Sequence, residues 1–267
     1  MSDPLSTYKC TEKPISLAFH RDFLIAGSSN GLVTGYVVSN GIIQKTSWSI
    51  QLPLNHEQYE IGEVNDLWVD QANDLIYAAC GNWIYQCSLD DGKVVKEFKG
   101  HKDYIHSVRG YGDNIVSASE DGSVKLWDQR ENKAPTFSLE PYKCPTVNRK
   151  DFGKWVGAAS ISKDWLACGG ASKLALYNLS HLDSKQPFQV FDSFPKEIHV
   201  TDFIDSDSLL VAGECNLIIQ YSLKGDMISE IETTSGPAVY SVVWQKKNQR
   251  NILAAAGASN HIDVTTN

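Results

Sequence analysis

The sequence lacks the patterns that mark several large classes of protein. Its 267 residues contain no apolar run long enough to cross a bilayer, and the N-terminus "MSDPLSTYKC" lacks the apolar core of a secretory signal. Basic residues are in the minority, with 24 Lys and Arg against 32 Asp and Glu and a net charge of -8. Because nucleic-acid-binding domains carry a basic face, this balance argues against direct RNA binding as a central role.

Paired spacings for metal ligands or disulfides are also missing. The six cysteines are isolated in the sequence, at Cys10, Cys80, Cys87, Cys144, Cys168 and Cys215. A zinc site needs closely paired ligands, and disulfide frameworks belong mainly to small secreted domains. We also find no phosphate-binding loop and no nucleophile elbow. The sequence therefore predicts free thiols, no cofactor, no membrane contact, no small-molecule substrate and no enzymatic activity.

What the sequence has is a repeat of short strands. Each copy contains an apolar strand, a pair of small residues, a turn with Asn, Asp or Gly, and a further strand. The second small residue marks each copy, at Gly27, Cys80, Ser119, Gly169, Gly213 and Gly257. Another strand precedes each copy and several copies have one after it, so the unit has four strands.

Four-stranded repeats about every 40 to 45 residues are typical of β-propellers. The marking residues lie 53, 39, 50, 44 and 44 residues apart, close to this period. The sequence therefore predicts an all-β fold, a single β-propeller domain over residues 1–267 with six recognisable four-stranded blades. The longest irregular stretches, 53–64 and 141–155, are predicted loops, where binding residues are usually carried.

One copy, residues 100–130, resembles a WD40 repeat. It reads "GHKDYIHSVRGYGDNIVSASEDGSVKLWDQR". The resemblance implies a hydrogen-bonded tetrad inside one blade, running from Trp127 through Ser117 and His101 to Asp121. Because a buried polar network must be satisfied, we interpret these residues as structural. A hydrolase triad would instead need an exposed serine beside an oxyanion hole.

Other copies lack this complete set of tetrad residues. The first two have Asn30 and Asn82 at the turn position of the tetrad aspartate. We therefore expect those two blades to be held by apolar packing alone.

The ending Trp-Asp-x-Arg of the same repeat allows two interpretations. It resembles the box with which WD40 substrate receptors of cullin-4 ubiquitin ligases contact their adaptor. That resemblance implies adaptor contacts from Asp128 and Arg130. The same spacing occurs in many propellers that have no such adaptor, where an exposed salt bridge explains the pair. Both interpretations stay open.

Segments outside the WD40 pattern carry a more specific resemblance. Residues 155–157 (Trp-x-Gly), 164–170 and 263–267 resemble the THO complex subunit 6 family, WD40 proteins of the TREX mRNA export assembly. The resemblance is strong over residues 95–267 and weak over residues 1–94. It implies a non-catalytic nuclear scaffold that supports coupled transcription, mRNA processing and mRNA export. It also implies THO subunits 5 and 7 as neighbours.

The number of blades differs from that of the resembled family. The family propeller looks seven-bladed, whereas six units are recognised here, and the first unit matches the second family blade. We therefore expect either an incomplete or distorted ring, or closure by strand pairing between residues 6–12 and 260–266.

The loop 141–155 is the predicted partner-binding segment. Tyr142, Phe152 and Trp155 lie near Arg149 and Lys150, and Tyr, Trp and Arg are enriched at interface hot spots. Alternatively, Phe152 and Trp155 fill the core of the next blade.

Overall fold

The computed structural model describes residues 12, 14–39, 42–53, 62–131, 134–192, 194, 196–234, 236–247, 250–258 and 262–266. The pairing expected between residues 6–12 and 260–266 involves residues 6–11 and 260–261, which lie outside these ranges. That pairing stays a prediction.

The described residues form strands joined by short turns. The first three sheets contain β1 (Pro14–His20), β2 (Phe23–Ser28), β3 (Leu32–Ser39), β4 (Ile42–Gln51), β5 (Val64–Asp70), β6 (Leu75–Cys80), β7 (Trp83–Ser88), β8 (Val94–Lys99), β9 (Ile105–Tyr111), β10 (Asn114–Ser119), β11 (Val124–Asp128) and β12 (Phe137–Leu139). The last three contain β13 (Val156–Ile161), β14 (Trp165–Gly170), β15 (Leu174–Asn178), β16 (Gln189–Phe191), β17 (Ile198–Phe203), β18 (Ser208–Gly213), β19 (Leu217–Ser222), β20 (Met227–Glu232), β21 (Val239–Lys247), β22 (Arg250–Gly257) and β23 (Ile262–Thr266). Short 3-10 helices cover Pro141–Lys143, Lys150–Phe152 and Leu179–Ser184.

The strands form six sheets that follow one another along the chain. Five have four strands, β1–β4, β5–β8, β9–β12, β13–β16 and β17–β20, and the sixth contains β21–β23. The predicted all-β fold and its six repeats are therefore confirmed, with the expected four strands in five sheets and three strands in the sixth among the described residues. Across the described ranges, no helix has the length and apolar character needed to span a membrane.

The chain divides into two compact units. The first comprises residues 1–115 and 126–137, and the second comprises residues 116–125 and 138–267. Within the first unit, β1 lies beside β5 and β5 beside β9. Within the second, β13 lies beside β17 and β17 beside β21. The expectation of a single domain over residues 1–267 stays a prediction.

Packing between successive sheets forms the core of each unit. Val64 and Leu67, the first and fourth residues of β5, share an apolar cluster with Ile25 of β2 and Val33 of β3. The corresponding residues of β9 and β21 are buried in the same way against the sheet before them. The first strand of a sheet thus provides the apolar contacts to its predecessor.

The strand β1 departs from this rule. Its fourth residue, Leu17, is 55% exposed, whereas Leu67 of β5 is 4% exposed and Val242 of β21 is 7% exposed. Phe19 is 60% exposed on the same strand. This face of β1 is therefore uncovered among the described residues.

A β-bulge follows the first residue of most first strands. The pairing of β17 with β18 shifts register between Ile198 and Val200, and β1, β5, β13 and β21 show the same shift. A bulge leaves one residue without a direct cross-strand partner and redirects its side chain. The bulge residues that matter below are Gly157, His199 and Tyr240.

The contrast between Leu67 and Leu17 provides a test of this packing. We expect Leu67→Ala to lower the free energy of unfolding by about 2–5 kcal/mol, because it leaves a cavity between two sheets. Leu17→Ala is expected to change it by less than about 0.5 kcal/mol, as at most surface positions. Urea unfolding followed by circular dichroism measures both, and equal losses would contradict the packing described.

Candidate functional site

The predicted tetrad residues have low exposure. Ser117 is fully buried, and His101 and Trp127 are 5% and 1% exposed, with their ring centroids 6.1 Å apart. The Oδ1 atom of Asp121 accepts hydrogen bonds from the amide and hydroxyl groups of Ser123, at 2.8 and 2.6 Å. The hydrogen bonding of the four tetrad residues to one another stays a prediction. A fully buried hydroxyl is out of reach of a substrate, which disfavours Ser117 as a nucleophile.

Polar contacts also hold the first two sheets, so the expectation of apolar packing alone is wrong. The hydroxyl of Ser28 donates to Oδ1 of Asn30 at 2.7 Å. The Nδ2 group of Asn82 donates to the carbonyl oxygen of His101 at 3.3 Å. Asparagine side chains offer both donors and acceptors, which lets them satisfy groups at these turns.

The charged residues of the Trp-Asp-x-Arg ending pair within the first unit. Arg130 donates through Nε and Nη2 to the carboxylate of Asp128, at 2.9 and 2.6 Å, and its Nη1 lies 3.0 Å from Asp113. The Arg130 guanidinium lowers the pKa of Asp128 to about 2. The salt bridge expected from the sequence is thus present, with the Arg130 side chain 66% exposed. The adaptor contact stays a prediction.

Gln129, between these two residues, links neighbouring sheets, and the sequence analysis missed this role. Its Nε2 group donates to the carbonyl of Gly112 at 3.0 Å, and its Oε1 accepts from the hydroxyl of Tyr77. Lys96 donates to the Gln129 carbonyl at 2.5 Å. Tyr77 is fully buried, and burial raises the pKa of its hydroxyl to about 12. The motif therefore has a structural function in its unit.

Arg149 fastens the loop 141–155 to the second unit. Its guanidinium donates to the carbonyl oxygens of Gly170, Ala171 and Lys196 at 2.8 Å and to that of Ser172 at 3.3 Å. Burial lowers the pKa of Arg149, although nearby Glu197 opposes this shift. The fixed fork of an arginine suits several carbonyls at once. Arg149 thus orders the loop from which the predicted partner contacts come.

The other predicted partner-binding residues of this loop are at least partly exposed. Phe152 is 37% exposed and lies below the Arg149 guanidinium, 4.4 Å from ring centroid to Cζ. The hydroxyl of half-buried Tyr142 donates to Glu140 at 3.0 Å, and Lys150 is exposed. Phe152 is therefore not a core residue, contrary to the alternative considered for it.

Three rings from separate segments of the second unit are in successive contact. We call Trp155, His199 and Tyr240 the aromatic row. The rings of Trp155 and His199 stack with centroids 5.7 Å apart and an interplanar angle of 19°. Those of His199 and Tyr240 lie 5.2 Å apart at 60°. Tyr240 is 56% exposed, and the other two are half-buried.

Gly157 makes room for the first ring of the row. A Cβ atom at this bulge position would lie 2.5 Å from Cζ3 of Trp155 and 2.4 Å from the carbonyl oxygen of Ile198. A side chain is therefore excluded, and the ring of Trp155 folds over its own strand. This contact explains the Trp-x-Gly spacing, which the WD40 pattern leaves unexplained.

The sequence analysis included Trp155 but missed His199 and Tyr240. Both directly follow the buried first residue of a first strand, as Ile198-His199 and Val239-Tyr240. An alignment of the first strands would have shown aromatic side chains at the same repeat position.

The chemistry of the buried thiols does not point to a reactive site. The five described cysteines are free, and burial raises the pKa of Cys80, Cys87 and Cys168 to about 12. Thiols with such a pKa stay protonated at neutral pH, so they are poor nucleophiles and metal ligands. Within the described ranges, no group of three or more His, Cys, Asp and Glu residues could hold a metal ion.

Comparison with known proteins finds a known repeat family in this chain and several similar proteins. The family model "WD domain, G-beta repeat" matches residues 92–128. The chain is 39% identical to THO complex subunit 6 of Drosophila melanogaster over 253 residues, 93% of this chain and 70% of that protein. It is 29% identical to THO complex subunit 6 of Homo sapiens over 272 residues, 99% of this chain and 77% of that protein.

The fold also has a counterpart among solved structures. The crystal structure of the WD40 β-propeller domain of Doa1 matches with a TM-score of 0.70, over 94% of this chain and 78% of that one. Only 12% of the aligned residues are identical, so this likeness concerns the fold alone. The fold is a WD40 β-propeller, as predicted.

The structural function of Gln129 can be separated from adaptor binding. Gln129→Ala is expected to lower the free energy of unfolding by about 1–3 kcal/mol, because the buried hydroxyl of Tyr77 loses its acceptor. Arg130→Ala, as the control, removes an exposed ion pair and is expected to cost less than about 1 kcal/mol. Chemical denaturation measures both, and a larger loss for Arg130→Ala would contradict this assignment.

Proposed function

Because the chain belongs to the THO complex subunit 6 family, we propose that it is a non-catalytic scaffold subunit of the nuclear THO/TREX assembly. It supports coupled transcription, mRNA processing and mRNA export through protein–protein contacts. Its neighbours are the other THO subunits, with subunits 5 and 7 foremost. The names of the relatives support membership of the THO complex, whereas the scaffold function and the contacts with subunits 5 and 7 are our proposal.

The observation that carries the proposal is the exposed aromatic row. Tyr240 in the row is 56% exposed, and Phe152 on the loop that leads to Trp155 is 37% exposed, so neither side chain belongs to the core. Aromatic anchors of this kind are enriched at the centres of protein interfaces. The row also begins at Trp155, inside a segment that resembles the THO subunit 6 family.

The residues beside the row are buried or hydrogen-bonded in the free chain. His199 and Tyr240 project from bulges whose neighbouring residues, Ile198 and Val239, are fully buried. Arg149, in the loop that leads to Trp155, donates to the carbonyl groups of Gly170 and Lys196. A preorganised surface loses little conformational entropy on association, which favours affinity.

The spacing of the rings suits a helical partner. Neighbouring centroids are 5.7 and 5.2 Å apart. These two spacings are close to the pitch of an α-helix, about 5.4 Å. The family resemblance implies that subunits 5 and 7 form a long helical pair, and helices commonly bind through their apolar face.

The cullin-4 receptor function has no comparable support. Arg130 donates to both carboxylate oxygens of Asp128. This contact within the turn accounts for both residues without an adaptor. Adaptor recovery that disappears on Arg130→Ala would revive that function.

Affinity purification tests the scaffold proposal. We expect the double variant Tyr240→Ala, Phe152→Ala to recover at least about tenfold less of the THO subunits, a loss of about 1.4 kcal/mol at the interface. The readout is quantitative mass spectrometry of proteins that copurify with the tagged chain. Circular dichroism should show an unchanged melting temperature, since both side chains are exposed.

The matched control is Tyr111→Ala, Phe188→Ala, which removes a tyrosine 49% exposed and a phenylalanine 62% exposed outside the row. We expect it to recover THO subunits like the unaltered chain. The aromatic row is the wrong surface if the control loses them equally. The scaffold function itself is refuted if the unaltered chain recovers no THO subunits.

A further inference from the structure

A small cavity lies within the first unit and is lined by residues of its first two sheets. Its volume is about 60 Å³, and Phe23, Trp48 and Leu89 form its apolar lining. Pockets that take a whole small molecule measure about 300–1,000 Å³. The cavity therefore admits only the end of a side chain or a group of similar size.

The aromatic part of the lining is positioned by a glycine. Trp48 of β4 pairs with Gly35 of β3, and a Cβ atom at Gly35 would overlap Cε2 and Cζ2 of Trp48. The indole ring therefore lies over the glycine. The ring of Phe23 is tilted against it, with centroids 6.3 Å apart and an interplanar angle of 51°. Both residues are half-buried at the cavity, and rings of this kind attract cations over their faces.

The charged lining contains one carboxylate that the fold leaves unpaired. The two oxygens of Asp74 contact Nη2 of Arg21 at 2.7 Å and Nε2 of His20 at 2.9 Å. The other ring nitrogen of His20 lies 2.7 Å from Oε1 of Gln71. Asp90 is exposed at the cavity, and its carboxylate has no ion-pair or hydrogen-bond partner among the described residues. Because Arg21 and Asp74 offset each other, the uncompensated charge at the cavity is negative.

The same unit already holds one ammonium group between a ring and a carboxylate. The Nζ atom of Lys99 lies 3.6 Å from the ring centroid of Trp83 and 2.9 Å from Oε2 of Glu97. Together, a ring face and a carboxylate replace part of the hydration that an ammonium group loses on contact. The cavity offers the same two kinds of partner in Trp48 and Asp90, and none of its described lining residues is a lysine.

We propose that this cavity binds the ammonium end of a lysine side chain of a partner protein. The small volume favours the compact ammonium group of lysine over the wider planar guanidinium of arginine. Long charged side chains bury their apolar stems against apolar surface, which Phe23 and Leu89 provide here. The inference goes beyond the proposed function, because the cavity belongs to the first unit and the aromatic row to the second.

Titration of the full chain with blocked tripeptides Gly-X-Gly tests this inference, with lysine, norleucine or glutamate at X. The readout is the indole N–H resonance of Trp48 in isotope-labelled protein, assigned as the signal missing from Trp48→Phe. We expect the lysine peptide to shift this resonance with a dissociation constant of about 1–10 mM, as one cation–π contact and one ion pair provide. Norleucine has a similar stem without the charge, so its peptide should bind at least about fivefold more weakly.

Two variants separate the cavity from general electrostatic attraction. Asp90→Asn should weaken binding of the lysine peptide about threefold to fivefold, because a partly exposed ion pair is lost. The matched control is Asp22→Asn, which removes the same charge from an exposed residue beside Arg21 that does not line the cavity. It should change the dissociation constant less than about 1.5-fold. Both variants should keep the melting temperature of the unaltered chain, since both side chains are exposed.

Four results would overturn the inference. Equal binding of the norleucine and lysine peptides would make the cavity an apolar pocket. Tighter binding of the glutamate peptide would make it an anion site of Arg21. Equal weakening by Asp90→Asn and Asp22→Asn would reduce the binding to general attraction. An unshifted Trp48 resonance at about 20 mM lysine peptide would show that the cavity takes no ammonium group.

Discussion

The packing of each first strand against the sheet before it is the interaction on which the other features depend. In both units it buries the first and fourth residues of these strands, as Val64 with Leu67 and Val239 with Val242. The bulge lies between these two buried residues. It turns the side chain of the residue after the first one away from the core. His199 and Tyr240 are therefore accessible although Ile198 and Val239 beside them are fully buried. Core packing and surface chemistry are set by adjacent residues of one strand.

Backbone contacts then determine the shape of the surface. Gly157 has no side chain, and the ring of Trp155 occupies the space that a side chain there would fill. Arg149 binds carbonyls after β14 and before β17, which ties the loop that leads to Trp155 to both strands. The charge of Arg149 serves the fold, and the carboxyl group of Glu197 is consequently only partly compensated.

Much of the fold could be predicted because local sequence patterns mark each repeat. Small-residue pairs and turn residues mark each hairpin, and all six repeats correspond to observed sheets. The aromatic row could not be predicted in the same way, since His199 and Tyr240 come from separate sheets and meet only through bulges. Gln129 was missed for a similar reason, because its partner Tyr77 is 52 residues away. Trp155 was found because it lies outside the WD40 pattern, in a loop with the composition of an interface.

Chemical crosslinking with mass spectrometry of the purified assembly tests most directly the claim that the aromatic row is the partner-binding surface. Lys150, Lys154 and Lys196 are exposed around the row, whereas Lys163 and Lys185 are exposed at the opposite end of the β13–β16 sheet. The account predicts crosslinks from the first three lysines to other THO subunits. Crosslinks to those subunits from Lys163 and Lys185 alone would contradict it.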